Sequence, residues 1–494
     1  MANLTIWKNG ISQTVPFTGT PLVQTVLAQA GLAVDQPCGG RGVCGKCAVR
    51  LEGAVSAPNA AEEKAGTRLA CQAVLLGDAS VWLADSTENR IEQSSQAMTL
   101  GTPLGQKIGA AIDIGTTTVV LKLYDLQMGR ELSAAACMNP QRAVAADVVG
   151  RMEAALKGQG HQLQAQIVDA LAQLLSEACR NANVPTDAVD FLVVAGNTTM
   201  LYLLTGENPE CLSHAPFQAD DLFDRNDSLL GKPCYYPACM NAFVGADITC
   251  AVLASGMEQI PDTALLCDIG TNGEIALWKD GRLYVTSTAA GPAFEGAGIS
   301  CGCSSVTGAI DRVTVKDGQI EAHTIGNAPA VGVCGSGLID AIAAFLETED
   351  IDETGASEED VLPLRDGICL LQKDIRTLQL SKAAIAAGIQ TLLESADVAE
   401  DEIATLYIAG GFGSHLNVAS AAAIGLIPAS LQDRVQVLGN ASLTGAAMML
   451  MNQEQKARAQ VLAASSSHVN LGGNPKFNAH YMEQMLFGDS DLFD

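Results

Sequence analysis

The stretch Ile112-Asp113-Ile114-Gly115-Thr116-Thr117 decides the fold of most of this chain, because its pattern returns as Cys267-Asp268-Ile269-Gly270-Thr271-Asn272 in the second half. Apolar residues on both sides of each copy predict a strand, an acidic turn and a second strand. An internal repeat of this kind indicates two similar lobes whose loops face one another across a cleft. One Asp-x-Gly-Thr turn alone would indicate an ordinary hairpin, so the prediction depends on the repetition.

The residue types in both turns are those of a phosphate site. Glycine lets the backbone approach phosphate oxygens, threonine hydroxyls and N–H groups donate to them, and aspartate holds hydrated Mg2+. We expect Asp113 and Asp268 to hold the water molecules of the metal. Glu274 is a candidate to orient water or metal, although an acidic residue just past a turn is as often merely solvated. The residues expected around the phosphates are Gly115, Thr116, Thr117, Thr118, Gly270, Thr271, Asn272 and Gly273.

Three further segments end or follow strands in small or polar residues. Residues 191–200 predict a strand, a turn at Asn197 and a helix, and this Asn either caps the helix or positions an attacking water. Residues 407–414 end a strand in glycines, as expected where backbone lies flat against a ligand. Residues 439–447 open a small-residue helix. A separate buried helix face is predicted from Leu163, Ile167, Leu171, Leu174, Leu175 and Ala178.

A cysteine-rich loop lies near the N-terminus. Three cysteines and four glycines fall within residues 38–47, and the spacing C-x5-C-x2-C-x23-C joins Cys38, Cys44, Cys47 and Cys71. Soft thiolates suit zinc or an iron-sulfur cluster. Zinc sites usually pair two C-x2-C knuckles, and one is present, so a cluster is favoured. The spacing resembles that of adrenodoxin-type 2Fe-2S ferredoxins.

The residues around this loop predict a small β-grasp ferredoxin domain. Asn9-Gly10 indicates a hairpin, and a helix is expected with Thr20 as N-cap and Pro21 at its first position. Short strands are expected at residues 48–51 and 74–83. The polar residues that follow, up to Gln106, have the composition of a linker.

Composition bounds the remaining possibilities. The chain has 494 residues, 48% of them hydrophobic, which suffices for several domains. No apolar run spans a bilayer and no signal peptide is apparent. The 15 cysteines, an odd number, argue against a disulfide framework and favour a reduced, cytoplasmic protein. The net charge of -27 argues against broad contact with nucleic acid or anionic membrane.

The order of these segments resembles the superfamily of actin, sugar-kinase and heat-shock-chaperone ATPases. The resemblance implies ATP with Mg2+ in the cleft and lobe closure that responds to hydrolysis. It also implies that residues 440–446 form the second connecting helix. The adenosine motif is implied to consist of Gly410, Gly411, Phe412 and Gly413.

A 2Fe-2S ferredoxin joined to such an ATPase resembles the reductive activators of corrinoid proteins. The resemblance implies an α+β and α/β multidomain fold, a β-grasp ferredoxin followed by a two-lobed actin-like (ribonuclease H-like) ATPase. Supporting segments include residues 244–248, 291–296 and 333–338. The expected divisions are residues 1–84 for the ferredoxin, 85–106 for the linker, 107–260 for lobe I and 261–494 for lobe II.

The resemblance implies a function as well. A corrinoid protein of a methyltransferase system must be Co(I) to accept a methyl group, and oxidation to Co(II) inactivates it. The activator would return one electron through its cluster, supplied by a low-potential donor and driven by ATP. The same resemblance leaves a homodimer open.

Two other functions compete with this one. An activator of radical dehydratases uses the same chemistry, but carries a cluster bridged between subunits, whereas this chain has four ferredoxin cysteines of its own. A redox-sensing actin-like ATPase or a small-molecule kinase with an appended ferredoxin is the other alternative.

Overall fold

The structure is a computed structural model that describes residues 2–8, 11–30, 32, 34, 47–65, 67–83, 100–411 and 416–488. The strands are β1 (Ala2–Lys8), β2 (Ile11–Phe17), β3 (Ala48–Val55), β4 (Arg68–Leu69), β5 (Leu75–Trp82), β6 (Ile108–Ile114), β7 (Thr118–Asp125), β8 (Arg130–Met138), β9 (Val189–Gly196), β10 (Arg225–Leu229), β11 (Lys232–Tyr236), β12 (Thr263–Ile269), β13 (Gly273–Lys279), β14 (Arg282–Thr288), β15 (Ala309–Lys316), β16 (Gln319–Thr324), β17 (Gly332–Val333), β18 (Val361–Arg365), β19 (Ile368–Leu371), β20 (Ile403–Ala409), β21 (Val435–Gly439) and β22 (Ser467–His468). The α-helices are α1 (Val23–Gln29), α2 (Ala60–Ala65), α3 (Val148–Ala154), α4 (Gly160–Ala182), α5 (Thr198–Thr205), α6 (Glu210–Ser213), α7 (Ala246–Ser255), α8 (Gly335–Glu347), α9 (Gln372–Ser395), α10 (Val418–Ala423), α11 (Ala441–Met451), α12 (Gln453–Ser465) and α13 (Pro475–Glu483).

The N-terminal residues form a five-stranded sheet in the order β2-β1-β5-β3-β4. β1 pairs antiparallel with β2 and parallel with β5, where Leu4 lies opposite Ala79. α1 shares a core with this sheet through Val23, Val26 and Leu27, all fully buried. A mixed sheet with one helix on its face is the predicted β-grasp arrangement. The two strands of the predicted hairpin are present, and Asn9-Gly10 between them lies outside the described residues.

The predicted start of the first helix was wrong. Thr20 and Pro21 were expected to open it, but α1 begins two residues after Pro21 and is preceded by Leu22 in an extended conformation. Leu22 forms a β-bridge with Val74, and the Pro21 carbonyl accepts a hydrogen bond of 2.9 Å from the Leu75 N–H. Because these bonds tie the segment to the sheet, it cannot enter the helix. A tertiary contact therefore overrides the local start signal.

The rest of the chain is built on two six-stranded sheets. The first has the order β10-β11-β9-β6-β7-β8 and the second β21-β20-β12-β13-β14-β22. In each sheet three consecutive strands pair antiparallel, and the first of them also pairs parallel with a later strand, β6 with β9 and β12 with β20. The repeat in the sequence is therefore a repeat of topology, and we call the two sheets with their helices lobe I and lobe II.

The hydrophobic cores show how the lobes are joined. Helix α4 covers lobe I, and the six apolar residues predicted to form its inner face are all buried. A separate core forms around α7 and α11 and includes Ala111 and Val193 of the first sheet and Leu266 and Ala276 of the second. α11 follows β21 of the second sheet in sequence but packs against α7, β6 and β9. This helix therefore joins the second sheet to strand β6, which leads into the first loop.

The last residues of the predicted linker are hydrogen-bonded to α11 and β9. Leu104 N–H donates to the Leu450 carbonyl at 2.9 Å, and the Gln106 and Lys107 N–H groups donate to the Asp190 carboxylate at 3.0 and 2.8 Å. Residues 85–99 lie outside the described residues, so the extent of the linker stays a prediction. Within the described ranges, no helix is both long and apolar enough to cross a membrane.

Candidate active site

Strand pairing brings the predicted loops of each lobe to one edge of its sheet. Asp113 on β6 lies opposite Ala195 on the parallel strand β9, and Asn197 follows that strand directly. In the second sheet Asp268 on β12 lies opposite Ala409 on β20. Because parallel strands end at the same edge, each aspartate lies beside the segment that follows the neighbouring strand.

The first loop is a tight turn held by polar side chains. The Gly115 N–H donates to the Thr118 carbonyl at 3.0 Å. Asn197 donates from Nδ2 to Thr116 Oγ1 at 3.3 Å and accepts the Met200 N–H at its Oδ1 at 2.9 Å. Asn197 is thus the N-cap of α5 and a support of the first loop. Its proposed role in positioning water stays a prediction.

Arg151 supports the same loop from behind and was missed by the sequence analysis. It is fully buried, and its guanidinium donates to the Thr116 carbonyl at 2.6 Å and to the Ala145 carbonyl at 3.0 Å. Loss of hydration, and then the charge of Arg142, lower the pKa of Arg151 to about 9. The group remains a cation at neutral pH, directly behind a loop expected to bind phosphate.

Asp113 is oriented by the second connecting helix. Asn440 Nδ2 and Ser442 Oγ each donate to a different oxygen of its carboxylate, both at 2.9 Å. Asn440 also caps α11 by accepting the Leu443 N–H at 2.8 Å. Loss of hydration raises the pKa of Asp113 despite these two bonds, which favour the charged form. The cap of α11 therefore fixes the carboxylate of the first loop.

The second loop has a similar plan. The Gly270 N–H donates to the Asn272 carbonyl at 3.1 Å, and Asp268 lies opposite Glu274 where β12 pairs with β13. Gly410 directly follows β20 with φ +93°, and a Cβ there would lie 2.6 Å from Asp268 Oδ1. Only glycine leaves room for this carboxylate. Gly411 follows it as a turn residue, whereas Phe412 and Gly413 lie outside the described residues.

Four carboxyl groups, those of Asp113, Asp247, Asp268 and Glu274, lie close enough together for their charges to affect pKa values within the group. Loss of hydration and the charge of Asp113 raise the pKa of Asp268 to about 7. Loss of hydration and the charges of Asp268 and Asp113 raise the pKa of Asp247, a residue of α7 that the sequence analysis gave no role. Loss of hydration and the charges of Asp247 and Asp268 also raise the pKa of Glu274 well above its usual range. Such mutual repulsion is relieved by a divalent cation.

The donor set fits a cation held through water. In the described part of the chain, no three Asp, Glu, His or Cys side chains are close enough to hold a metal directly. Mg2+ keeps several water ligands when it binds with phosphates, so carboxylates at a distance suit it. The residues present therefore fit hydrated Mg2+ with a nucleotide.

The described half of the cysteine site is also consistent with its predicted use. Ala48 pairs with Leu69 where β3 meets β4, and the Ala70 N–H donates to the Cys47 carbonyl at 2.9 Å. This pairing places Cys47 beside the segment that carries Cys71, and both residues are buried. Two buried cysteines on adjacent, hydrogen-bonded backbone segments fit a cluster site. Cys38 and Cys44 lie outside the described residues.

The shifted carboxyl groups predict a pH-dependent stability of the Mg2+-free protein. The usual pKa of aspartate is 3.8 and that of folded Asp268 is about 7, so between these values the folded state binds a proton that the unfolded chain does not. The free energy of unfolding should therefore fall as the pH rises through this window and level off above it. Thermal unfolding in EDTA measures this trend. Asp268→Asn should reduce the slope, and an equal slope in both proteins would contradict the shift.

Comparison with known proteins identifies the family. Residues 262–494 match the C-terminal domain of RACo, the ASKHA domain, residues 108–260 match the RACo middle region, and residues 6–76 match the 2Fe-2S iron-sulfur cluster binding domain. The chain is 33% identical over 420 residues to the corrinoid activation enzyme RamQ of Eubacterium limosum, covering 77% of this chain and 70% of that protein.

Two further relatives agree with this result. The reductase of the Co(II) methylated amine-specific corrinoid protein from Methanosarcina barkeri is 24% identical over 421 residues, 77% of each chain. A solved reductive activator for corrinoid, iron-sulfur protein is 25% identical, with a TM-score of 0.72 over 99% of both chains. These matches confirm the predicted fold class, the 2Fe-2S cluster and the ATP with Mg2+. The chain belongs to the RACo family of corrinoid-activating proteins.

Proposed function

We propose that this protein reactivates a corrinoid protein of a methyltransferase system by an ATP-dependent transfer of one electron, which converts inactive Co(II) to Co(I). The observation that carries the proposal is the combination of sites on one chain. A ferredoxin sheet holds Cys47 and Cys71 together. Two phosphate loops on repeated sheets place Asp113 close enough to Asp268 for its charge, with loss of hydration, to raise the pKa of Asp268 to about 7.

A reduction of this kind needs a source of free energy. Plant-type 2Fe-2S centres have potentials of about -400 mV, and the Co(II)/Co(I) couple that such activators serve lies lower still. For one electron, each ~59 mV of mismatch lowers the equilibrium constant tenfold. The bound cluster would supply low-potential one-electron chemistry, and ATP would supply the missing free energy. A nucleotide can do so only if its bound states differ in their affinity for the Co(II) protein.

The residues of the chain have distinct tasks in this proposal. Cys38, Cys44, Cys47 and Cys71 would hold the cluster. Asp113 and Asp268 would orient the water molecules of Mg2+, while the hydroxyls and N–H groups of the two loops bind phosphate. Closure of the two lobes excludes water from the phosphates and changes the relative position of the lobes. That movement is the means by which hydrolysis alters the grip on the partner.

The partners follow from the same reasoning. The corrinoid protein is the electron acceptor, and a low-potential donor must reduce the cluster between turnovers. The acidic surface expected from a net charge of -27 favours an acceptor with basic or neutral contact residues. We also infer a cytoplasmic location, which the reduced state expected for the 15 cysteines supports.

ATP hydrolysis should depend on the protein partner. We expect a Co(II) corrinoid protein to stimulate the ATPase about ten-fold or more, because the partner stabilises the closed lobes, whereas sugars and small acids leave the rate unchanged. Phosphate release measured with each candidate substrate tests this expectation. The same corrinoid protein held as Co(I) is the control, because it needs no electron. Phosphorylation of a small molecule without any protein partner would replace the proposal with a kinase.

A further inference from the structure

Glu295 connects the two phosphate loops through hydrogen bonds from both of them. It ends a short 3-10 turn, Pro292–Glu295, and its carboxylate accepts hydrogen bonds from two threonine hydroxyls. Thr117 of the first loop donates to Oε2, and Thr271 of the second loop donates to Oε1 at 2.7 Å. One carboxylate therefore spans the cleft between the lobes. We call this arrangement the Glu295 clasp.

The backbone that carries the clasp is fixed to the second loop. The Gly291 N–H donates to the Thr271 carbonyl at 2.9 Å, and Ala293 and Phe294 are each only 1% exposed. Gly296 has φ +74°, and a Cβ there would lie 2.5 Å from the Cys303 carbonyl oxygen. The turn is thus closely seated on lobe II, and the side chain of Glu295 reaches the first loop of lobe I.

The contacts of the clasp resemble those of a bound phosphate. A carboxylate presents two negative oxygens to hydroxyl donors, as a phosphate group does. The negative charge of Glu295 also acts on Arg151 behind the first loop, where it favours the cationic form and opposes the lowering of its pKa. A threonine hydroxyl has one proton, so it cannot donate to the carboxylate and to a phosphate oxygen at the same time. Nucleotide binding and the clasp therefore compete for Thr117 and Thr271.

We propose that Glu295 is a built-in phosphate mimic that holds the two loops together without nucleotide and is displaced by the phosphates of ATP. This inference rests on the proposed ATP site and goes beyond it by assigning a competitor to that site. The phosphates of ATP and the Glu295 carboxylate are both negative and repel each other at this site. Part of the binding free energy of ATP is therefore used to displace the Glu295 side chain. Because the Glu295 side chain moves when nucleotide binds, the contacts of the lobe II turn that carries it change with nucleotide occupancy.

The clasp can be tested by binding, with the complete, cluster-containing protein. Glu295→Gln should bind the Mg2+ complex of the non-hydrolysable analogue AMPPNP about five-fold or more tightly than the wild type, because the amide carries no charge to repel phosphate. Adenosine, which has no phosphate, should bind both proteins equally. Isothermal titration calorimetry measures both ligands. Glu359→Gln, an exposed acid in the same lobe, is the matched control and should bind like the wild type.

A measurement without nucleotide gives a second readout. In Glu295→Gln the amides of residues 115–118 and 270–273 should exchange with deuterium faster than in the wild type, since the loops have lost their bridge. Unchanged exchange together with unchanged AMPPNP affinity would overturn the clasp, and so would weaker AMPPNP binding or an equal gain for adenosine. If the wild type binds no AMPPNP at all, the ATP site itself fails, and the clasp fails with it.

Discussion

Replacing Asp268 by alanine should lower the ATPase rate by about 100-fold or more, the usual cost of losing one preorganised electrostatic group of an active site. Asp268 is the next-to-last residue of β12, and its carboxylate lies against Gly410, where a side chain would collide with it. Without its carboxylate, the water molecules of Mg2+ would lose one of the two aspartates, Asp113 and Asp268, that are proposed to orient them. The visible absorption of the cluster should stay unchanged, because the ferredoxin residues form a separate core.

Asp262→Ala is the matched control for this experiment. Asp262 is exposed and precedes the same strand at its other end, so its loss should leave the ATPase rate within about two-fold. Phosphate release and the absorption spectrum, recorded on the same samples, give both readouts. Full turnover in Asp268→Ala would remove the second loop from the active site.

Replacing Cys71 by alanine should abolish cluster assembly and, with it, Co(I) formation. Cys71 is buried two residues after β4, next to Ala70, whose N–H bond to the Cys47 carbonyl fixes this segment. Removing one of the four thiolates predicted to hold the cluster would leave an iron without its ligand, and oxygen or nitrogen donors are harder ligands that suit a cluster iron less well than sulfur. Basal ATP hydrolysis should remain within about two-fold, since distant sites act independently.

Cys179→Ala provides the control for the loss of a buried thiol. Cys179 lies in α4 and packs in the core of lobe I. This variant should keep the red-brown colour and the EPR signal of the reduced cluster, whereas Cys71→Ala should lose both. A normal cluster signal in Cys71→Ala would show that the ligand set was assigned incorrectly.

The parts of the fold that were predicted correctly depend on short-range patterns. Each Asp-x-Gly-Thr turn is flanked by apolar strands, and the repetition of Asp113 by Asp268 indicated two lobes before any pairing was known. The apolar spacing in α4 predicted its buried face for the same reason. Local periodicity reports which side of an element faces the core. It therefore carries enough information for element type and lobe number.

Contacts between distant residues could not be predicted from such patterns. Asn440 donates to Asp113 across 327 positions of sequence, and Thr117 donates to Glu295 across 178. Glu295 and Arg151 lie in segments whose local sequence shows only a turn and a helix. Their roles arise from the closure of two sheets on one cleft. No spacing rule within one segment contains that information.

Two local signals had a different meaning in the folded protein. Pro21 would suit the first turn of a helix, but its carbonyl accepts a hydrogen bond from the Leu75 N–H, and α1 begins two residues later. The sequence left two roles open for Asn197, capping of a helix and positioning of a water molecule. In the structure its Oδ1 caps α5 and its Nδ2 supports Thr116. One amide makes both contacts because its two ends have opposite hydrogen-bonding character. Competing tertiary contacts therefore decide whether the folded chain follows a local propensity.

If this protein reactivates a corrinoid protein as proposed, ATP must drive its electron to Co(II). Mixing the anaerobically reduced wild-type protein with a Co(II) corrinoid protein, with and without Mg2+ and ATP, and following the cobalamin spectrum tests this requirement. We expect a Co(I) band that forms with ATP, is absent without it and is absent with Cys71→Ala. A Co(I) band of equal size without nucleotide, or no band with any corrinoid protein of the same organism, would contradict it.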